Sequence, residues 1–122
     1  MQITSGIQPI TFLAGATATG VGVVRKLPLG AGTAVLQVWV KADSGATTAG
    51  VTLWGSNDPT CRTSQSACAK TSVGTLALSG TGAGDTPADV DALSVTTQFA
   101  FYWVEITGIS GTNANVTAVA AA

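Results

Sequence analysis

The 122-residue chain contains no histidine, and only 9% of its residues are charged although 46% are hydrophobic. Most enzymes need a proton acceptor tuned near neutral pH, a nucleophile with a base beside it, or a metal cluster. Here the supply is five basic side chains, six acidic ones and two cysteines. Two cysteines without a histidine exclude a conventional four-ligand zinc site, and the six residues between them exclude a Cys-x-x-Cys redox motif. The carboxylates Asp43, Asp58, Asp85, Asp89, Asp91 and Glu105 lie mostly in turn-like stretches with no spacing that marks a glycosidase pair. No Gly-Lys-Ser/Thr phosphate cradle follows the glycine-rich stretch 80–84. The expectation is a protein that is not an enzyme and that uses no cofactor and no metal.

Basic charge is equally scarce. Arg25, Lys26, Lys41, Arg62 and Lys70 form no run longer than two, and the formal net charge is -1, so no nucleic-acid partner is expected. No stretch approaches the roughly 20 apolar residues that span a bilayer, which argues against a membrane partner. The start, Met1 to Gly6, lacks the basic-then-apolar layout of a secretion signal, and the expected product is made and kept inside a cell. Low charge with a mean hydropathy of +0.43 fits either a Thr/Ser-covered β surface or a surface buried against partners.

What the chain does have is strand signal. Glycine and β-branched residues interrupt every window in which a helical period builds. Extended segments are read at 9–14, 19–27, 33–42, 50–56, 73–79, 99–108 and 113–120, with a weaker one at 89–95, separated by turn clusters at 28–32, 43–45, 56–59, 79–85 and 108–112. This predicts an all-β antiparallel sandwich of about seven or eight strands, jelly-roll in preference to immunoglobulin-like. Residues 1–16 are read as an N-terminal arm or first edge strand, and 17–122 as one sandwich domain.

Strand parity places the tryptophans. In 35–41, Leu36, Val38 and Val40 share one face while Gln37, Trp39 and Lys41 share the other. In the next segment Val51, Leu53 and Gly55 alternate with Thr52, Trp54 and Ser56, so Trp39 and Trp54 fall on what reads as the outer face of neighbouring strands. Two readings stand. The rings pair across strands under the stem of Lys41, or a bulge inverts the parity; otherwise they are exposed anchors for a protein or a sugar ring. Trp103 lies in a segment apolar on both faces apart from Glu105, as expected of a central strand covered on both sides.

Cys61 and Cys68 bracket a polar stretch after the Asn57-Asp58-Pro59 turn. Either a disulfide staples the tip of a hairpin, or two thiols stay free at the surface. The acidic group Asp85, Asp89 and Asp91 lacks the glycine and terminal glutamate of a calcium loop and reads as a solvated turn. Asn115-Val116-Thr117 matches a glycosylation pattern but lies inside an expected strand.

Four runs together resemble small virion proteins of tailed bacteriophages, most of all capsid decoration, or cement, proteins. They are Val-Thr-Leu-Trp-Gly-Ser-Asn-Asp at 51–58, Gly-Thr-Leu-Ala-Leu-Ser-Gly at 74–80, Phe-Tyr-Trp-Val-Glu-Ile-Thr-Gly-Ile-Ser-Gly-Thr at 101–112, and Ala-Asn-Val-Thr-Ala-Val at 114–119, about the last two thirds of the chain. The segment containing Cys61 and Cys68 departs from the plain hairpin expected there. The resemblance implies a non-enzymatic β module that binds the major capsid protein and its own copies, commonly as a homotrimer, and a place on the virion surface after synthesis in the host cytoplasm. Candidate contacts are Ile3, Ile7, Pro9, Ile10 and Phe12 of an N-terminal strap, or frayed terminus, together with Trp39 and Trp54. The alternative is a carbohydrate-binding or host-surface adhesion module in which Trp39 or Trp54 stacks on a sugar.

Overall fold

Period-two alternation of apolar and polar residues decides β3 (Ala34–Lys41): Ala34, Leu36, Val38 and Val40 are buried, whereas Val35 and Gln37 are exposed. The computed structural model describes residues 9–27, 33–96 and 99–121. Around β3 it arranges β1 (Ile10–Ala16), β2 (Gly20–Val21), β4 (Ala46–Ser56), β5 (Thr71–Thr81), β6 (Asp89–Val95), β7 (Phe101–Ser110) and β8 (Asn115–Ala121).

Each early strand pairs antiparallel with its counterpart from the other end of the chain: β1 with β8, β2 with β7, β3 with β6 and β4 with β5. Rolling up such a ribbon gives two four-stranded sheets, β1-β8-β3-β6 and β2-β7-β4-β5, which is jelly-roll topology. An immunoglobulin-like sandwich would put the first two strands in one sheet, whereas β1 and β2 lie in different ones. The preferred of the two sequence-based architectures is the one found.

Between the sheets, Phe12, Leu36, Val38, Val40, Val51, Leu53, Tyr102, Val104, Ile106 and Val116 form one core. Burying each of the larger side chains stabilises the fold by roughly 1.5–3 kcal/mol. Tyr102 fits this apolar setting because its hydroxyl accepts a bond from the Phe99 N–H at 2.8 Å, and the two rings meet edge to face.

Two expectations are corrected. Phe12 is 2% exposed, because β1 is hydrogen-bonded to β8 and turns this side chain inward, out of a partner's reach; Ile10 is partly buried against the same core. β1 forms an edge of its sheet. The strand expected over 19–27 is only two residues long, followed by a strap that returns to β7 at the isolated bridge between Arg25 and Tyr102. Gly22 explains the crossing: a Cβ there would lie 2.6 Å from the Phe12 carbonyl oxygen, so only glycine lets the strap pass this close to β1.

Three turns gather at one end of the sandwich. The Asp43 N–H donates to Thr112 O, Gly82 N–H to Gly45 O and Gly84 N–H to Ala42 O. The opposite end carries the strap 22–27 and the long β4–β5 connection 57–70.

Candidate functional site

The outer face of the β1-β8-β3-β6 sheet bears almost no charge. Across it, Val35 lies between Ser94 and Ala121, Gln37 between Ala92 and Val119, and Trp39 between Val90 and Thr117. Val35 and Val90 are 48% and 46% exposed, and Trp39 is half-buried. Pro9 stands at the margin of this patch. Lys41 closes the row at the end of β3. Cross-strand contact with Val90 and Thr117 supports the indole but leaves part of it open to a partner.

The outer face of the other sheet is covered in part: Trp103 is buried, whereas Thr48, Thr75, Ala77 and Ser79 toward the turn end are exposed. Trp54 and Trp103 are cross-strand partners on β4 and β7, and Trp103 is fully buried although its side chain points away from the inter-sheet core. The connection 57–70 lies over part of this face, with Lys70 above Trp54 and Arg62 above Phe101, and the strap 22–26 lies beside it. The Trp103 Nε1 is buried with no hydrogen-bond partner among the described residues. Trp54 is bound on two sides: its Nε1 donates to Glu105 Oε1 at 2.9 Å, and the Lys70 ammonium lies 4.6 Å from the ring centroid. The cation that shields a tryptophan is thus Lys70, not Lys41. Trp39 and Trp54 also lie on opposite outer faces of the molecule, because β3 and β4 belong to different sheets.

The 57–70 connection is a built structure. Asp58 caps the 3-10 turn Pro59–Arg62, its carboxylate accepting from the Thr60 N–H and, across the loop, from the Ala69 N–H, both at 3.0 Å. These backbone bonds, Ala69 first, hold the Asp58 carboxyl below the ordinary value of 3.8. Ser56 Oγ donates to Ala69 O, and Gln65 Nε2 donates to Cys61 O at 2.7 Å. Cys61 and Cys68 are disulfide-bonded with a Cα–Cα distance of 5.0 Å, the stapled hairpin tip that the sequence offered as one of two options.

Between this loop and the strap runs a furrow of about 510 Å³, lined by Arg25, Lys26, Arg62, Gln65 and Phe101, with Arg62 stacked 5.8 Å over the Phe101 ring. A second hollow, which shares Gln65 with it, is lined by Lys70 and Glu105. Three of the five basic residues therefore line one furrow, and a fourth, Lys70, lines the hollow beside it. In the sequence only the Arg25-Lys26 pair and the two cations beside the cysteines hint at this, because the residues come from elements some forty positions apart.

No family model matches the chain, and no curated protein matches it. Among solved structures, the chain is similar to the SPBc2 prophage-derived protein YomS, with a TM-score of 0.52 at 14% identity, covering 100% of this chain and 99% of that one. The likeness extends over the whole sandwich and concerns the fold.

The remaining expected positions resolve simply. Ile3 and Ile7 lie outside the described residues. The acidic group does not converge: Asp89 accepts from the Ser79 and Val90 N–H groups and Asp91 from Ala92 N–H, so these carboxylates serve the β6 backbone. Among the described residues, no three His, Cys, Asp or Glu side chains are grouped as metal ligands, and no helix is long and apolar enough to cross a membrane.

Proposed function

We propose that this protein is a non-enzymatic structural component of a bacteriophage particle, decorating the capsid by binding the major capsid protein and its own copies. The observation that carries the reading is the nearly uncharged outer face around the half-buried Trp39, whereas Trp54 and Trp103 on the other sheet are bound by Lys70 and Glu105 or buried. Such a face loses little desolvation energy on docking and offers an indole at its centre, the kind of residue enriched at binding hot spots. The full-length likeness in fold to a prophage-derived protein and the resemblance of 51–119 to virion proteins support the same reading. Stabilisation follows by mass action, since each copy that binds only the assembled shell adds its binding free energy against disassembly.

Co-sedimentation with expanded capsids tests it. Trp39→Ala lowers occupancy while the isolated variant keeps its fold; unchanged occupancy rejects the Trp39 face as the contact. The carbohydrate-binding alternative has less support at Trp54, whose ring is occupied by Lys70 and whose Nε1 is committed to Glu105. Glycan-array binding that disappears in Trp39→Ala would favour that alternative.

A further inference from the structure

The fold sorts charges that the sequence scatters. Arg25, Lys26 and Arg62 line the furrow, Lys70 lines the hollow beside it, and all four are exposed. None is paired with a carboxylate among the described residues. Lys70 Nζ donates to the Gln65 carbonyl, and Arg62 rests on Phe101, so these two are held in place with their charge uncompensated. The two nearby carboxylates are committed elsewhere, Asp58 to the Thr60 and Ala69 amides and Glu105 to the Trp54 indole.

The opposite end is acidic. Asp43 lies in the β3–β4 turn and Asp85 in the β5–β6 turn, which the bonds of Gly82 and Gly84 hold side by side. Both are exposed; Asp43 accepts from Asn113 Nδ2, and Asp85 makes no hydrogen bond or ion pair among the described residues. Asp89 follows at the start of β6. Lys41 is the one cation at this end.

We infer that the basic furrow is the docking site for the acidic turn end of a second copy of this chain, with Asp43 and Asp85 entering beside Arg25, Lys26 and Arg62. The argument is charge complementarity between two surfaces of one molecule, the basic one unpaired with carboxylates and the acidic one offset only by Lys41. Because the surfaces differ, the contact is head-to-tail, and it closes into a ring or runs on as a chain according to the rotation between copies. Single exposed ion pairs contribute little, so the contact is weak in free solution and screened by salt. It specifies how copies meet and rests on the self-association part of the function proposed above, not on the identity of the shell.

The test is sedimentation velocity of the full chain at low and high ionic strength. Wild-type protein self-associates in a concentration-dependent way at low salt and is monomeric at high salt. Arg25→Glu with Arg62→Glu, and separately Asp43→Lys with Asp85→Lys, each weaken association by about tenfold or more, and an equimolar mixture of the two variants regains it. Should a reversed variant misfold, Arg25→Gln with Lys26→Gln provides the same weakening with less disturbance. A wild-type monomer at low salt, variants that associate like wild type, or a mixture that stays apart would each overturn the inference. Capsid co-sedimentation separates the two claims: wild-type protein that binds capsids yet stays monomeric at low salt overturns this contact and leaves capsid binding standing, whereas wild-type protein that self-associates but does not bind capsids does the reverse.

Discussion

Trp54 and Glu105 are joined by a 2.9 Å hydrogen bond from indole Nε1 to carboxylate Oε1, between adjacent strands β4 and β7. The bond satisfies a polar atom that would otherwise be poorly hydrated beneath Lys70, and it keeps the only acid of β7 from neutralising the furrow. Trp54→Phe retains most of the ring contact with Lys70 but removes the donor. The expected cost is about 1 to 2 kcal/mol in urea denaturation, and Glu105→Gln, which keeps an acceptor, costs less. Equal losses in the two variants would show that the bond contributes nothing of its own.

Phe12 and Trp39 separate packing from docking. Phe12→Ala removes a ring that is 2% exposed within the core, and the expected loss is about 3 to 5 kcal/mol. Trp39→Ala removes a half-buried ring from an outer face, so its stability loss is well below that of Phe12→Ala. Chemical denaturation of both variants checks the ordering, and a reversed order would contradict the placement of β1 in the core.

The Cys61 to Cys68 disulfide closes a loop of about eight residues, for which the chain-entropy model gives roughly 2 to 3 kcal/mol. Cys61→Ser with Cys68→Ser is expected to lose about that much. Since the same connection sets Lys70 over the Trp54 ring, the variant's tryptophan emission shifts to longer wavelength under native conditions. An unshifted spectrum would mean that the loop keeps its position without the bond.

Acid weakens the Asp58 cap in a defined direction. Its carboxyl is held below the ordinary 3.8, chiefly by the Ala69 N–H and then by Thr60. A depressed folded-state value means that the contribution is fully present above the unfolded-state value and disappears as pH falls through the folded-state value. Wild type should therefore exceed Asp58→Asn in denaturation midpoint at neutral pH. The gap should narrow only below the ordinary carboxylate range, and a gap constant down to strong acid would refute the role of charge at this cap.

Much of the architecture was legible because its determinants are local. Leu36, Val38 and Val40 alternate with Gln37 and Trp39, and that period places β3 with one face inward whatever the rest of the chain does. The strand expected over 19–27 failed for a tertiary reason: Gly22 must slip past the backbone of β1, so the segment becomes a strap after two residues of pairing. Phe12 was misjudged because a stretch rich in glycine and proline at a terminus looks unanchored until β8, a hundred residues later, pairs with it. Trp54 resisted the sequence in the same way, since its partners Glu105 and Lys70 arrive from other elements.

The sequence by itself determined which residues alternate inward, where the chain turns, that two cysteines lie close enough to bridge, and that histidine-based chemistry is excluded. Only the rolling of the ribbon decided that Trp39 and Trp54 look out from opposite faces and that Arg25 and Lys26 of the strap meet Arg62 of the stapled loop at one furrow. Strand alternation acts between neighbours in sequence. Which outer surfaces stay open, and which charges meet there, depends on long-range pairings such as β1 with β8 and β2 with β7.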